Sequence, residues 1–285
     1  MKKKIILWIL CAFALSGCQS VSALDAYQAA SEKTDQIQMG KNKMEGTVLI
    51  ESGEIQKDLS FDLRGTFDHT KSQLIYDGTI ESEDMGEDFT FYQEDDEKRY
   101  LYIPMLGKYI LLTNVNAEVK DVQLGDLTQS FEEVGAYIQS ILKDENVFKG
   151  ERVLISNEDG DVKATKYTIK LSPQQLQGIT DILYKTYDEN QAAINEWLMS
   201  VSQISEENIL SFMQSNLQID SFEMTAFVDF DQYVISEDFA VGIASEHQKI
   251  LLNYHLERWS NDGEVNLSFP AFTDAEIMTL EEGGL

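Results

Sequence analysis

From Val48 to Leu112 the chain alternates apolar and polar residues in short runs, and this two-residue period admits little besides a sheet with one covered face and one wet face. Val48 and Ile50 open the series. Leu59, Phe61 and Leu63, then Leu74 and Tyr76, Phe89 and Phe91, Tyr100 and Tyr102, and Tyr109 to Leu112 continue it. Gly53, Gly65, Gly78 and Gly107 sit at or near the gaps, so the stretch predicts an antiparallel meander of about six strands. Hydrophobic residues make up 43% of the 285 and aromatics 10%, enough to pack such a sheet despite a net charge of −28.

Helical periods flank and interrupt the strands. Ala23 to Ile37 predicts a short amphipathic helix, with Leu24, Tyr27 and Ala30 at helical spacing. Ser130 and Glu133 form a capping-box pattern ahead of the stripe Phe131, Val134, Tyr137, Ile138 and Ile141, which predicts a helix ending near Lys143. Phe148–Ser156 and Val162–Leu171 then read as a hairpin turning at Asn157 to Gly160. Ser172, Pro173 and Gln175 supply an N-cap, a first-turn proline and a reciprocating glutamine for a long helical segment through Leu176, Ile179, Ile182, Leu183, Ile194, Trp197 and Leu198. Ser205 to Asn208 opens another helix to about Asn216.

Strand periods return at Phe222, Met224, Ala226, Val228 and Phe230, and at Ile250, Leu252, Tyr254 and Leu256. A turn at Asn261 to Gly263 leads to a strand through Val265, Leu267 and Phe269, and Thr273 to Glu276 caps a short terminal helix stopping at Gly283. With three prolines and no linker-like tract, residues 23–285 read as one α+β domain built on a large antiparallel sheet.

The N-terminus carries an address. Lys2, Lys3 and Lys4 precede an apolar run from Ile5 to Leu15. That run is too short for a bilayer core, which takes about 20 helical residues, but it has the dimensions of a secretory signal peptide. It ends in Leu15-Ser16-Gly17-Cys18, which resembles a bacterial lipobox. The resemblance implies cleavage between Gly17 and Cys18 and a diacylglyceryl group on the Cys18 thiol. Residues 1–17 are then leader and 18–22 a lipidated cysteine with a short tether. Cleavage removes Cys11, leaving no partner for an internal disulfide, and removes three lysines, leaving a charge of −31. Four extended residues reach roughly 14 Å, so the globular part stays close to the membrane.

Catalytic patterns are scarce. The chain contains no HExxH, GxSxG, Walker A or glycine-rich dinucleotide fingerprint, and neither an enzyme activity nor a cofactor is expected. Ser140 to Lys143 matches SxxK but lies on the apolar-striped helix. Asp229 and Asp231 form a DxD that reads more simply as the wet side of a strand. Three histidines, His69, His247 and His255, and two cysteines leave little for transition-metal chemistry. The acid-rich run from Glu81 to Glu97 has the density but not the spacing of a calcium loop, and no metal is assigned. Fifty acidic residues against 22 basic ones exclude nucleic acid as a partner.

A lipobox, one N-terminal helix, a long meander and helices inserted between later strands resemble the LolA/LppX-like superfamily of envelope lipoproteins, and Asn266 to Pro270 is similar to the closing strand and proline of several members. The resemblance implies a half-barrel-like curved sheet with helices on one side, enclosing space for acyl chains. It further implies a lipid-anchored protein on the extracytoplasmic side of a bacterial cell membrane. The physical need is clear, since 15 methylenes exposed to water cost about 12 kcal/mol. Phe61, Tyr76, Phe89, Phe91, Tyr167, Phe222 and Tyr254 are the candidate lining.

Three functions stay open. One is a non-enzymatic carrier or binder of an acyl-chain ligand. The second is an interaction or sensor lipoprotein that engages an envelope protein or a cationic partner through its acidic surface, with no cavity. The third is a hydrolase using facing carboxylates, which need no sequence motif.

Overall fold

The computed structural model describes residues 21–52, 55–82, 86–112, 136–182, 184–185, 218–245, 248–273 and 276–278. The fold grows from one covered helix and a run of hairpins. Helix α1 (Ala23–Thr34) starts at Ser22, whose side chain accepts the Asp25 backbone N–H at 3.0 Å, and it carries an acid in its first turn and Lys33 in its last. Tyr27, Ala30 and Thr34 form its buried stripe, so the helix ends three residues before the expected Ile37.

Strands β1 (Met39–Ser52), β2 (Ile55–Asp68), β3 (Gln73–Ser82), β4 (Gly86–Gln93), β5 (Arg99–Ile103) and β6 (Lys108–Leu111) form the expected six-stranded meander. Helical segment α2 (136–141) precedes β7 (Val147–Asn157) and β8 (Gly160–Lys170), and α3 (173–182) follows them, ahead of β9 (Gln218–Val228), β10 (Val234–Ala244), β11 (Gln248–Trp259) and β12 (Ile277–Met278). Among the described residues these twelve strands make one sheet in the order β12-β6-β5-β4-β3-β2-β1-β11-β10-β9-β8-β7. Every pairing is antiparallel except the two-residue contact of β12 with β6. The sheet is open and curved, with helices packed on it, and does not close into a barrel.

The core lies at one end. Tyr27 and Ala30 of α1, Leu142, and Leu176 and Ile179 of α3 close over Val147, Tyr167, Ile169, Ile219, Phe222, Ala226, Val228 and Val234. Thr34 ties the helix to the sheet, donating to the Ala30 carbonyl at 2.7 Å and accepting the Val234 N–H at 2.8 Å. The capping box at α3 forms as expected: Ser172 N–H donates to Gln175 Oε1 at 2.8 Å and Gln175 N–H to Ser172 Oγ at 3.4 Å.

Several expectations are corrected. Strand β10 has no counterpart in the sequence reading, although Phe239, Val241 and Ile243 carry the period. Gly65 and Gly78 lie inside β2 and β3 rather than in gaps, Gly107, at φ +62°, occupies a turn, and Gly53 lies outside the described residues. Phe230 belongs to the β9–β10 turn and is 88% exposed. Val265 to Phe269 make no ladder. The tail instead lays Phe272 flat on Tyr100, centroids 3.8 Å apart, before β12 replaces the start of the expected terminal helix. Residues 130–135 and the helices expected beyond 185 lie outside the described residues, as do residues 1–20 with Gly17 and Cys18.

Candidate functional site

Cross-strand register sorts the side chains into two faces with different chemistry. One row runs Phe61, Gly46, Tyr254, Phe239, Met224, Ile169 across six neighbouring strands. Tyr76 stands opposite Gly65 and Phe91, and Phe89 opposite Gly78. Tyr167 pairs with Ala226 and Phe222 with Val241. All seven candidate lining residues therefore project from the same face, the one on which the helices pack.

Three of these pairs share a construction. Phe61 lies over Gly46, Tyr76 over Gly65 and Phe89 over Gly78, each ring occupying the space a glycine Cβ would fill. The missing side chain lets a large ring lie flat against the neighbouring strand. Phe61 and Tyr254 come within 6.4 Å, centroid to centroid. Tyr76 accepts a hydrogen bond from Asn42 Nδ2 at 2.9 Å.

The seven do not share one environment. Tyr167 and Phe222 belong to the closed core beneath the helices, whereas Phe61, Tyr76, Phe89, Phe91 and Tyr254 are half-buried. Leu59 and Ile80 on the same face are 40% and 42% exposed. Burial pushes the Tyr254 phenol up to about 12. A cavity of about 230 Å³ opens here between Ile37, Asn42, Phe67, Leu74, Tyr76 and Arg258.

The opposite face is polar. Its central row reads Thr225, Asp238, His255, Glu45, Asp62, Thr79, Asp88. A twisted sheet is saddle-shaped, so each face is concave along one diagonal. On this face the trough is about 850 Å³, lined by Glu45, Asp62, Glu81, Glu223 and Asp238 together with hydroxyl side chains, Asn253 and His255. It continues into a space of about 460 Å³ bordered by Leu49 and Leu251. The tip of the β7–β8 hairpin returns over this side, with Glu158 meeting Arg64 at 3.0 Å and Asp159 accepting from Ser260.

Charges in the trough are largely matched. Lys43 bridges Glu45 at 2.5 Å and Asp62 at 3.6 Å. That hydrogen bond holds the Glu45 carboxyl below its ordinary value. His255 meets Asp238 at 2.6 Å and Glu257 at 3.2 Å. Burial acts most strongly on the imidazole and lowers its pKa, but the hydrogen bonds to Asp238 and Glu257 together outweigh it, so the net shift is upward. The arrangement suits binding of a polar or cationic group.

The other sequence motifs resolve locally. Ser140 Oγ donates to the Tyr137 carbonyl at 2.7 Å. Asp229 shapes the β9–β10 turn by accepting the Tyr233 N–H at 2.8 Å, and burial raises its carboxyl. His69 lies against Phe67 with ring centroids 4.7 Å apart and the planes tilted by 33°, and His247 lies outside the described residues. Asp95 organises the β4–β5 turn by accepting the Glu97 and Lys98 N–H groups. Among the described residues no three His, Cys, Asp or Glu side chains converge as a metal site, and no helix is long and apolar enough to cross a membrane.

Neither a family model nor a curated sequence matches this chain. Solved structures similar to it include LprF from Mycobacterium bovis, at 12% identity and a TM-score of 0.39, covering 87% of this chain and 97% of that one. A DUF1329 family protein from Desulfovibrio piger ATCC 29098 is 11% identical with a TM-score of 0.27, covering 90% and 99%. An outer membrane lipoprotein-sorting protein domain from Vibrio parahaemolyticus is 8% identical with a TM-score of 0.25, covering 84% and 94%.

Proposed function

We propose that this chain is a non-enzymatic envelope lipoprotein, anchored through Cys18 on the extracytoplasmic side of a bacterial membrane, that binds an acyl chain against the aromatic face of its sheet. The observation that carries the reading is the register: seven aromatic side chains from β2, β3, β4, β8, β9 and β11 project from one face. Only the two beneath the helices, Tyr167 and Phe222, are sealed in the core. A half-buried aromatic surface costs free energy in water, at about 25 cal/mol per Å², and an acyl chain laid along it removes that cost for both partners.

Native mass spectrometry of the acylated protein, gently extracted, tests ligand and anchor together. The expected result is a diacylglyceryl mass on Cys18, plus a second lipid mass that organic solvent removes. Replacing Phe61 and Phe89 by serine should abolish the second mass and spare the first. A protein that stays empty after incubation with envelope lipids refutes the acyl-binding reading. A Cys18→Ser protein that still sediments with membranes refutes the anchor.

One observation favours a second reading, the acid-rich trough on the polar face. It suits a cationic segment of an envelope partner. Crosslinking in intact membranes should then capture a salt-sensitive partner through residues near Glu81 and Asp238, and capture of none counts against it.

A further inference from the structure

The sheet is electrically lopsided. Strands β3 and β4 carry Asp77, Glu81, Glu87 and Asp88 and no cation. The β7–β8 hairpin carries Lys149, Arg152, Lys163, Lys166 and Lys170 against Glu151 and Asp161 in its strands and Glu158 and Asp159 in its turn, with Lys170 paired to Glu223 and Glu158 to Arg64. In a chain of net charge −28 this edge is the exception. β7 ends the strand order at this edge, and its Phe148 and Leu154 are 53% and 57% exposed.

The same edge lies where the tether emerges. The C-terminal end of α1 is pinned at the β9–β10 turn by Thr34 and Val234 and by Lys33 donating to the Asp231 carbonyl. Seven residues earlier, Tyr27 reaches Met224 and packs 6.4 Å from Tyr167. The helix also packs on β7 and on the turn Asp144–Asn146 that leads into it, so its N-terminus points to the end of the sheet where β7 begins. Val21, just ahead of the helix, is 67% exposed.

We propose that the β7–β8 edge docks along the anionic lipid headgroups of the membrane in which Cys18 is anchored. The proposal rests on the lipid-anchor reading above. An anionic surface repels the chain as a whole, so a tether of about 14 Å leaves the edge with the cations as the one that can approach. Phe148 and Leu154 supply the apolar contacts that interfacial segments bury among headgroups. The long axis of β7 then lies on the membrane, and an acyl-chain cargo on the aromatic face is presented sideways from the bilayer.

The test uses the acylated full-length protein in vesicles of equal parts phosphatidylglycerol and phosphatidylcholine, with headgroup spin-labelled lipid as quencher. Dyes are placed at Ser156→Cys, at the far end of β7, or at Met105→Cys in the β5–β6 turn, which is 75% exposed. Nine residues of strand put position 156 about 30 Å beyond Val147, so the tether alone does not bring it to the surface. Quenching at 156 should exceed that at 105 by about threefold or more, because surface attraction acts within roughly one Debye length. It should fall to the level at 105 in pure phosphatidylcholine and in the Lys149→Glu/Lys163→Glu protein. Equal quenching on bound protein overturns the docking edge while leaving the anchor standing. Absence of the acyl mass, with protein left in solution, overturns both. Shielding at 156 that appears without vesicles and rises with protein concentration identifies a second copy pairing along β7, and overturns the membrane assignment.

Discussion

The two arms of this sheet use the same strand grammar to different ends. In the β7–β10 arm α1, α2 and α3 close over the apolar face, and Ala226, Ile169 and Tyr167 lose nearly all contact with solvent. In the β1–β4 arm the same face carries Phe61, Tyr76, Phe89 and Phe91, all half-buried, and each of the first three leans on a glycine. One arm is stabilised by helix-on-sheet packing. The other is stabilised by rings lying on the neighbouring strand, which shields backbone while leaving aromatic surface for something else to cover. Stability and binding capacity are thus divided between two ends of one sheet.

The sharpest way to break this comparison is to truncate one ring from each arm. Phe222→Ala should cost about 3–5 kcal/mol by urea unfolding, as expected for a ring removed from a closed core. Phe91→Ala should cost about 1–2 kcal/mol, since a half-exposed ring loses only part of its transfer free energy. Equal losses would mean that the arms are equally closed.

The glycine pairs come next. Gly46→Ala drives a methyl into the Phe61 ring and should cost about 1–3 kcal/mol. The change Gly150→Ala, where the nearest atom to a new Cβ is at 3.4 Å, should stay within about 0.5 kcal/mol. If Gly46→Ala is equally neutral, the rings do not depend on those glycines. Ser172→Ala should cost about 1 kcal/mol through loss of the α3 cap, which thermal unfolding resolves.

The smallest effect is a pH dependence on the polar face. The raised His255 pKa means that its ion pairs with Asp238 and Glu257 contribute stability fully below the unfolded value near 6.5. That contribution is lost as pH rises through the folded value. Urea midpoints of the wild type should fall relative to His255→Gln between about pH 6 and pH 8. Parallel curves would remove His255 as the titrating group.

Much of the fold was legible because a pleated strand exposes its chemistry at every second residue. The runs around Phe61, Tyr76, Phe89 and Tyr254 appeared as strands in the sequence, and the hairpin at Gly160 and the cap at Ser172 formed where their residues indicated. The misreadings share a cause. Gly65 and Gly78 look like turn residues until the rings opposite them are known. Phe269 looked like a strand residue because a coil that buries aromatics on Tyr92 has the same composition. Strand β10 was overlooked because Ser236, Glu237 and Asp238 interrupt its apolar period at the end nearest the turn.

By itself the sequence determined that this chain builds a one-face-apolar sheet and holds a large excess of acid, since alternation and charge are local or additive properties. The polar trough was not readable in this way. Its carboxylates, Glu45, Asp62, Glu81, Glu223 and Asp238, come from five strands, and β11 pairs with β1 across more than half of the chain. Strand order and register also decided that the basic hairpin lies at one edge, far from β3 and β4 in the strand order. Residues on separate strands acquire a common site only when backbone hydrogen bonds select their neighbours, and that selection is a property of the whole sheet.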